Sequence, residues 1–589
     1  AVHALAGRPA MSDKAAVADA LEEIGLLLEL LGENPFKTRA YANAARVLRG
    51  LDRDLDTLVR AKQLGEIKGF GPALVEKIGV LVTTGRLPYL EDLRRQVPAG
   101  MLDWLKIPGL GPKKARAIHL NLGIATLAQL ETAAKEGKLR DLEGFGAASE
   151  KKILDGIARV RDHASRFLQP LIRAEADRLL ALVRAIPGVE RAEVAGSARR
   201  RGETSKDIDV VCTAKDPAKV LDAFATAPGV AAVIGKGDTK CSVALESGPN
   251  ADLRVVAAKA YPFALLYFTG SKAHNIALRA RAGKLGLKLN EYGLVAEDGR
   301  ETAAGDETAI YRALGLPWIE PELREDAGEI EAAEAGTLPR LIERSDLKGI
   351  LHVHSTWSDG TASIREMAEA ARAMGMAYLG LCDHSRAAAY AGGLSIERVR
   401  EQHAEIDRIN ADYAGAFRVL KGTEVDILAD GSLDYPDEVL SSFDLVVASV
   451  HSRFNLPVDE QTARIVRAID GGFVDIVGHP TGRLLLTRDG YPLHLNRVLD
   501  AAAAAGVAVE INAHPQRLDL DPPALRYGIA RGMKTAIDPD SHDTAGLSDV
   551  DYGVGVARKG WCTAEDVLNA WPLDRLLAWL RDRRARARA

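Results

Sequence analysis

A segment in the first half of the chain reads Val194-Ala-Gly-Ser-Ala-Arg-Arg-Arg-Gly-Glu-Thr-Ser-Lys-Asp-Ile-Asp-Val210. Val194 closes an apolar run, and Gly196 and Ser197 predict a tight turn whose amides and hydroxyl can hold phosphate oxygens. The three arginines that follow add cationic groups suited to phosphate. The segment therefore has the composition of a site that binds the phosphates of a substrate.

Two acids of the same segment, Asp207 and Asp209, begin a predicted strand. Side chains alternate along a strand, so the two carboxylates share one face, about 6.6 Å apart along the chain, while Ile208 and Val210 face a core. Like charges on one face repel each other unless a cation lies between them. This favours a metal site over a surface strand with solvated acids.

A third acid, Asp252, lies in a second predicted strand, Ala251-Asp-Leu-Arg-Val-Val256, with Arg254 on the same face. If this strand is a neighbour of the first, Asp252 completes a three-carboxylate cluster with Asp207 and Asp209. Such a cluster can hold two divalent ions, which in-line phosphoryl transfer uses to activate the attacking hydroxyl and to neutralise the leaving group.

The composition limits the protein class. A length of 589 residues predicts several domains, and 47% hydrophobic with 27% charged residues is typical of soluble proteins. The net charge of −5 does not argue against nucleic acid, because lysine and arginine gather in the first 290 residues and acids beyond them. The four cysteines form no CxxC pair, which argues against a disulfide framework or a zinc ribbon and favours a reducing cytoplasm.

No apolar run is long enough to span a membrane, and residues 1–10 lack the apolar centre of a signal peptide. We therefore expect no membrane association, and the sequence leaves open whether the native chain starts at Met11 or includes residues 1–10.

Residues 15–50 predict two helices with a break at Asn34-Pro35. Three glycine hairpins follow, each leading into a helix that carries lysine: Ile67-Lys-Gly-Phe-Gly-Pro72, Ile107-Pro-Gly-Leu-Gly-Pro112 and Leu142-Glu-Gly-Phe-Gly-Ala147. Paired glycines let the hairpin backbone approach a DNA phosphate, and the amides of the next helix can donate to it. This helix-hairpin-helix pattern, three times repeated, favours non-specific duplex binding over three ordinary turns. The residues expected at DNA are Gly69, Gly71, Gly109, Gly111, Gly144 and Gly146.

Two more motifs follow the acidic strands, namely Tyr267-Phe-Thr-Gly-Ser271 and Leu289-Asn-Glu-Tyr-Gly293. With the turn at 196–197, Arg200 and the three acids, they resemble the family X DNA polymerases, the relatives of DNA polymerase beta, over about residues 15–318. The resemblance implies that Mg²⁺ or Mn²⁺ binds to Asp207, Asp209 and Asp252, with Asp252 also beside the primer 3′-hydroxyl.

The resemblance also implies contacts to nucleotide and DNA. The nucleotide contacts are Gly196, Ser197, Arg200, Tyr267, Phe268, Gly270, Ser271 and Asn275. The DNA contacts in this region are Lys240, Arg254 and Arg279. Ser197 and Arg200 would contact the triphosphate, and the two aromatic residues would crowd the sugar 2′ position, with core packing as their alternative role. In the family a glycine comes just before the first metal acid, whereas this chain has Lys206 at that position.

The N-terminal helices resemble the small domain of the same family, in which a lysine attacks an abasic sugar. Lys77 falls at that position and Tyr41 at an accompanying one, whereas Ala73 replaces a second lysine. A nucleophilic lysine must be neutral. The sequence leaves open whether Lys77 gives abasic-site lyase activity or only contacts phosphate.

Beyond a polar, acid-rich stretch at 319–345, which we interpret as a linker, the chain alternates strand and helix seven times. The predicted strands end near residues 354, 383, 424, 451, 479, 512 and 540. This pattern predicts a distorted closed barrel whose strand ends share one rim. Side chains at those ends would converge from distant parts of the sequence.

Histidines and acids occupy those strand ends, and the set resembles the polymerase and histidinol phosphatase (PHP) phosphoesterases. All nine positions of that ligand pattern are filled, by His352, His354, Asp359, His384, Glu424, His451, His479, Asp540 and His542. The resemblance implies a site for three divalent ions in which Glu424 bridges two. Such ligands suit Mn²⁺, Zn²⁺ or iron, and the ions would activate water for attack on a phosphodiester. His514 and Arg517 lie on the same rim, either at substrate or in polar packing.

These features predict a multidomain protein with α+β and α/β parts, including a nucleotidyltransferase palm and a (β/α)7 PHP barrel. The expected regions are a helical DNA-binding small domain (12–95), a fingers-like helical region with further hairpins (96–165), the palm (166–260), a thumb-like nucleotide-selection subdomain (261–318), the linker (319–345) and the PHP domain (346–575).

The predicted function is gap filling by a family X DNA polymerase in base-excision repair, with 3′→5′ exonuclease, and cleavage at abasic sites, in the PHP domain. Expected partners are gapped or primed double-stranded DNA and deoxynucleoside triphosphates, bound by a monomer in the cytoplasm, at the nucleoid. Two other functions fit part of the chain. A phosphoesterase of small phosphate esters fits the barrel alone, and a non-catalytic DNA-end scaffold fits the hairpins.

Overall fold

The computed structural model describes residues 14–49, 55–67 and 69–588. Residues 1–10 and Met11 lie outside this range. The chain divides into two compact units, one formed by 1–164 with 389–392 and the other by 165–388 with 393–589.

The first unit is helical. Its helices are α1 (Lys14–Leu31), α2 (Pro35–Arg49), α3 (Leu55–Arg60), α4 (Pro72–Thr84), α5 (Pro88–Gln96), α6 (Ala99–Trp104), α7 (Pro112–Leu122), α8 (Leu127–Lys135) and α9 (Ala147–Ala164). The expected break falls between α1 and α2, where the Asn34 side chain accepts a hydrogen bond from Phe36 N (2.9 Å). The apolar residues with helical spacing on α1, such as Leu21, Ile24 and Leu27, are fully buried.

All three glycine hairpins lead directly into helices, as predicted. The first glycine of each hairpin has a positive φ, 100° at Gly69, 79° at Gly109 and 80° at Gly144, which other residues rarely adopt. Gly71 and Gly111 are the N-caps of α4 and α7, each followed by proline in the first turn. A side-chain carbon added at any of these five glycines would meet no atom within 4 Å, so their backbone faces open space.

The second unit begins with a mixed sheet. Its elements are β1 (Phe167–Leu168), α10 (Gln169–Ala185), β2 (Val189–Val194), α11 (Gly196–Arg199), β3 (Thr204–Ser205), β4 (Asp207–Ala214), α12 (Pro217–Ala225), β5 (Val230–Lys236), β6 (Lys240–Leu245) and β7 (Asn250–Val255). Five strands form one sheet in the order β2-β4-β7-β6-β5, in which only the β4–β7 pair is parallel. Ile208, Val210 and Leu253 point into the core on one face, so the acids between them lie on the other.

The next elements are α13 (Tyr261–Thr269), α14 (Lys272–Lys284), the hairpin of β8 (Leu287–Asn290) and β9 (Gly293–Ala296), α15 (Glu307–Ala313) and α16 (Glu329–Glu334). The stretch 319–345, expected to be a linker, packs against this group instead. Ile319 and Leu323 are buried in its core, and Arg324 is fully buried with Nη1 donating to Glu307 Oε1 (2.7 Å). Its polar composition therefore reflects acids paired with arginines, rather than a solvated connection.

Seven parallel strands in sequential order form the C-terminal barrel. They are β10 (Gly349–Val353), β11 (Tyr378–Leu381), β12 (Arg418–Asp426), β13 (Leu445–Ser449), β14 (Ile476–Val477), β15 (Ala508–Asn512) and β16 (Thr535–Asp538). The helices are α17 (Ile364–Ala373), α18 (Ile396–Tyr413), α19 (Asp437–Leu440), α20 (Val458–Asp470), α21 (Leu495–Ala505), α22 (Pro522–Ile529), α23 (Val550–Lys559) and α24 (Leu573–Arg588).

A parallel bridge between Val353 and Ser541 brings the first and last strands together, so the barrel is nearly closed. The strands are buried along almost their whole length, as expected for a parallel sheet covered by helices. This confirms the predicted (β/α)7 fold. Among the described residues, no helix is long and apolar enough to cross a membrane.

Candidate active sites

The parallel pairing of β4 and β7 places two of the three predicted palm acids directly opposite each other. Asp209 is the register partner of Asp252, and Asp207 lies one pleat earlier on the same face of β4. Asp207 is exposed, whereas Asp209 and Asp252 are half-buried. The structure thus brings all three carboxylates to one patch of the sheet.

Two effects of this crowding are visible. Burial, reinforced by the carboxylates of Asp207 and Asp252, raises the pKa of Asp209 to about 6. Lys240 on β6 forms an ion pair with Asp252, its Nζ 2.6 Å from Oδ2. Lys240, predicted at DNA, is thus paired with a predicted metal ligand. A divalent cation at the three acids would favour their ionised forms and compete with this lysine.

The turn between β2 and β4 lies beside these acids. Gly196 has a φ of 63°, and a side chain there would collide with the Asp209 carboxylate, so only glycine fits both the backbone and the space. Ser197 donates its hydroxyl to Ser205 Oγ (2.8 Å). Arg200 donates from Nη1 to Thr269 O (2.5 Å), which ties the turn to the end of α13.

The remaining predicted nucleotide residues surround the α13–α14 junction. Tyr267 and Phe268 are half-buried and meet edge to face, with ring centroids 5.2 Å apart. The guanidinium of Arg254 lies 4.1 Å from the Phe268 ring centroid. Gly270 lies against Arg200, and the Ser271 hydroxyl accepts a hydrogen bond from His274 N (3.2 Å) as the N-cap of α14.

Two residues of α14 complete this group. Asn275 Nδ2 donates to Tyr267 O (2.7 Å), which fixes the amide on the side of the aromatic pair. Arg279 is exposed one turn later on the same helix. Asn275 and Arg279 therefore lie on one face of α14, and both line a small cavity together with Tyr267 of α13.

The predicted ligands of the barrel lie close together. Three groups have ligand atoms that all lie within 4.8 Å of one another. They are His354 with Asp359, His384 and His542; His352 with His354, Glu424 and Asp540; and His384 with Glu424 and His451. His354, His384 and Glu424 each belong to two groups, which is the arrangement needed for neighbouring ions that share ligands.

The ninth predicted ligand, His479, adjoins the same cluster through Nε2, 2.9 Å from Glu424 Oε1. Glu424 is fully buried and has histidine nitrogens on both carboxylate oxygens. Burial alone would raise the pKa of Glu424, but His451, His384 and His352 lower it well below its usual range. A buried, ionised carboxylate surrounded by imidazoles is a suitable bridging ligand.

The histidines of this cluster differ in their protonation at neutral pH. Burial would lower the pKa of His451, but Glu424 and Asp426 raise it to about 10. Burial and the neighbouring His542 and His384 lower the pKa of His354 to about 3, and its buried Nδ1 makes no hydrogen bond among the described residues. The donor set therefore fits divalent ions, whose binding would displace protons from the histidines.

Two acids that support the ligands were not predicted from the sequence. Glu510 on β15 is fully buried, with Oε1 2.6 Å from His352 Nδ1 and Oε2 accepting from His479 N (2.6 Å). Asp426 Oδ1 lies 2.7 Å from His451 Nδ1. Carboxylates in these positions fix each ring so that Nε2 faces Glu424 and the other predicted ligands. The signal in the sequence is an acid inside an otherwise apolar strand, as in Ala-Val-Glu-Ile-Asn at 508–512.

The rim residues His514 and Arg517 lie beside the cluster. Arg517 Nε is 3.7 Å from Asp540 Oδ2, and burial lowers the pKa of His514. A neutral imidazole and a guanidinium beside the ligands could receive a substrate phosphate.

In the helical unit, Lys77 is half-buried on α4, where its Nζ donates to Ala73 O (3.3 Å) and lies 4.8 Å from the ring centroid of Tyr89. Tyr89 also stacks on Tyr41, with centroids 6.4 Å apart. Burial raises the pKa of Tyr41 to about 12, so its hydroxyl stays protonated. The structure thus brings together Lys77 and Tyr41 around one aromatic ring.

Replacing Glu510 with glutamine should weaken metal binding in the barrel by about 10- to 100-fold, because the negative charge that orients and polarises His352 is lost. Calorimetric titration of the metal-free protein with Mn²⁺ measures this. Glu565→Gln is the matched control, since Glu565 is 70% exposed and pairs only with Arg575 among the ion pairs described. Unchanged Mn²⁺ affinity in a folded Glu510 variant would show that this carboxylate has only a packing role.

Four stretches of the chain match known family models. The chain matches the family models of a helix-hairpin-helix domain (residues 12–87), a SAM-like helix-hairpin-helix tandem (101–159), the DNA polymerase beta thumb (264–325) and the PHP domain (351–514). Probable phosphatases of Caldanaerobacter subterraneus and a Thermoanaerobacter species are 28% and 30% identical over 28% and 26% of this chain, covering 67% and 63% of those proteins.

One relative matches along nearly the whole sequence. The DNA polymerase/3′-5′ exonuclease PolX of Bacillus subtilis is 38% identical over 569 residues, which cover 95% of this chain and 98% of the relative. An alignment of this length spans both the sheet with the three acids and the C-terminal barrel. The chain therefore belongs to the family X DNA polymerases that carry a C-terminal PHP domain.

Proposed function

We propose that this chain is a DNA-directed DNA polymerase that fills gaps during base-excision repair and that its barrel is a 3′→5′ exonuclease. The observation that carries the proposal is the presence of two separate clusters of candidate metal ligands in one chain, three carboxylates in the first and histidines with acids in the second. One lies on β4 and β7 beside a phosphate-binding turn, and the other on the rim of the barrel. A polymerase that trims the end it extends requires two such centres.

In the palm, Asp207, Asp209 and Asp252 would hold Mg²⁺ or Mn²⁺. The backbone of the Gly196 turn, with Ser197 and Arg200, would bind the triphosphate. Asp252 lies beside the proposed position of the primer terminus, where its carboxylate can accept the proton of the 3′-hydroxyl. Tyr267 and Phe268 would discriminate against a ribose 2′-hydroxyl. The two rings pack against each other and Arg254 packs on Phe268, so the movement of both rings is restricted.

In the barrel, the nine ligands would hold three divalent ions, with manganese, zinc or iron preferred by their imidazole and carboxylate donors. Bound ions at both sites would offset the charge that develops on phosphate oxygens and would acidify the attacking hydroxyl or water. His514 and Arg517 would orient the phosphodiester. Glu510 and Asp426 would hold His352 and His451 in the ligating orientation. Phosphodiester cleavage at abasic sites would use the same residues.

DNA would bind to the helical unit through the glycine hairpins. All six hairpin glycines are exposed, and exposed lysines follow on the helices, at 113, 114, 151 and 152. Backbone amides and lysines at these positions contact phosphates without reading sequence. This suits an enzyme that acts at gaps in any sequence.

A single assay tests the whole proposal. The protein is incubated with a gapped duplex carrying a labelled primer, with Mn²⁺, in the presence and absence of deoxynucleoside triphosphates. We expect extension to the end of the gap with nucleotides and shortening from the 3′ end without them. Absence of both products under conditions in which the protein binds the duplex would favour a non-catalytic DNA-end scaffold.

The phosphatases that resemble the barrel make small phosphate esters the second candidate substrate class. Binding to gapped DNA separates the two, because neutralising several phosphates releases counterions and makes affinity fall steeply with salt. Salt-independent, weak DNA binding combined with rapid hydrolysis of a small ester would favour the second candidate.

Abasic-site lyase activity is a separate hypothesis, carried by Lys77. If its amine forms a Schiff base with the abasic sugar, borohydride should trap a covalent complex with abasic DNA, and Lys77→Ala should remove that complex. Lys113→Ala, at an exposed hairpin lysine, is the control and should retain it. Lack of trapping by the unmodified protein would leave Lys77 as a phosphate contact.

A further inference from the structure

The last residues of α23, a helix of the barrel domain, contact the nucleotide-binding turn of the palm. Lys559 Nζ donates to the backbone oxygen of Arg200 (3.2 Å) and to Glu325 Oε1 (2.6 Å). The Lys559 side chain is only 10% exposed. A lysine buried to this degree has a defined position, so the contact fixes both of its partners.

Glu325 also contacts the side chain of Arg200. The same oxygen, Glu325 Oε1, accepts from Arg200 Nε (3.1 Å), and Arg200 Nη1 donates to Thr269 O. Arg200 is the residue proposed to bind the triphosphate, and Thr269 precedes the Gly270-Ser271 pair. A continuous chain of hydrogen bonds therefore runs from the barrel helix to the nucleotide-binding residues.

A second, parallel set of contacts lies next to the first. Arg558 Nε donates to Glu322 Oε1 (2.7 Å), and Arg201 Nε lies 3.3 Å from the same oxygen. Arg201 also packs on α23 at Gly555, where a side-chain carbon would lie 3.0 Å from Arg201 Cδ. Consecutive basic residues of α23 and consecutive arginines of the palm thus share two acids of the 320–325 stretch.

The charges at Glu325 explain why both basic side chains, Lys559 and Arg200, are needed. Burial would raise the pKa of Glu325, but Lys559 and Arg200 lower it, so the carboxylate is ionised at neutral pH. With Arg200 alone, that carboxylate would neutralise the guanidinium that is to receive a triphosphate. Lys559 shares the carboxylate, which leaves a net positive charge at the turn while Arg200 stays in place.

We propose that Lys559, a residue of the PHP domain, is a positioning residue for nucleotide binding in the polymerase site, acting through Glu325 on Arg200. The inference rests on the proposed polymerase function and adds a role for the barrel beyond hydrolysis. The barrel completes the phosphate-binding turn of the palm. The polymerase site is then built partly from the barrel domain.

The test is steady-state gap filling by full-length variants. Lys559→Ala should raise the KM for the deoxynucleoside triphosphate about tenfold with a much smaller change in kcat, because Lys559 touches no reacting atom. Its exonuclease rate should equal that of the unmodified protein. Lys559→Arg should restore most of the KM. Lys534→Ala, at a barrel lysine paired with Asp566, is the matched control and should change neither activity.

A double variant tests the route through Glu325. If Lys559 acts through this carboxylate, Lys559→Ala combined with Glu325→Gln should have the KM of Glu325→Gln alone rather than the product of the two effects. An unchanged KM in Lys559→Ala, or equal losses of extension and exonuclease, would overturn the inference. Failure of the proposed function is distinguishable, since the unmodified protein would then not extend the primer at all.

Discussion

Asp207→Ala should lower nucleotide addition by on the order of 10³-fold or more and leave 3′→5′ exonuclease unchanged. Asp207 lies at the exposed start of β4, on the face that carries Asp209 and Asp252. Loss of one carboxylate from a cluster of three removes much of the charge that would hold the ions. Primer extension and primer shortening on the same gapped duplex measure the two activities.

The control for Asp207 is Asp222→Ala, also in the palm, where the carboxylate is 67% exposed and pairs with Lys236. This variant should extend primers at the normal rate. Parallel loss of exonuclease in a folded Asp207 variant would mean that the two centres do not act separately. Retention of nucleotide addition would remove Asp207 from the proposed ligand set.

The combined substitution His352→Ala with His354→Ala should have the opposite effect. Both side chains are fully buried, and between them they belong to two of the three ligand groups, so exonuclease should fall on the order of 10³-fold or more while nucleotide addition continues. The metal content of the purified protein should fall as well. The two assays above, together with elemental analysis, measure these changes.

His494→Ala is the control for this pair. His494 lies in the barrel domain, is 46% exposed, lies near Asp459 and belongs to none of the three ligand groups. It should keep its metal content and its exonuclease rate. A double variant that is folded and depleted of metal but still shortens primers would place the exonuclease outside the barrel.

Much of the palm site could be predicted because it depends on the alternation of side chains along two strands. Asp207 and Asp209 had to share a face once β4 formed, and an apolar core required Ile208 and Val210 on the other. The sequence could not give the register of β4 against β7, which places Asp209 opposite Asp252. It also could not give the ion pair of Lys240 with Asp252, which depends on a third strand.

The barrel ligands were predictable for a related reason. In a parallel β/α barrel, the ends of successive strands meet on one rim whatever the loops between them are. Glu510 and Asp426 were not singled out, since an acid in a strand looks the same in sequence whether it contacts a ligand or a helix. The packing of residues 319–345 could not be predicted, because acids of this stretch pair with arginines that are distant in sequence, such as Arg558.

The sequence by itself determined the fold class and the side chains proposed to carry the chemistry, because periodicity and motif spacing are local properties of the chain. Only the tertiary structure decided which of these side chains share partners. Lys559 and Glu325 are 234 positions apart, yet they meet at Arg200, because the folding of the barrel against the palm brings α23 to the turn proposed to bind nucleotide. Such pairings depend on distances through space between elements already formed, and no spacing along the chain encodes them.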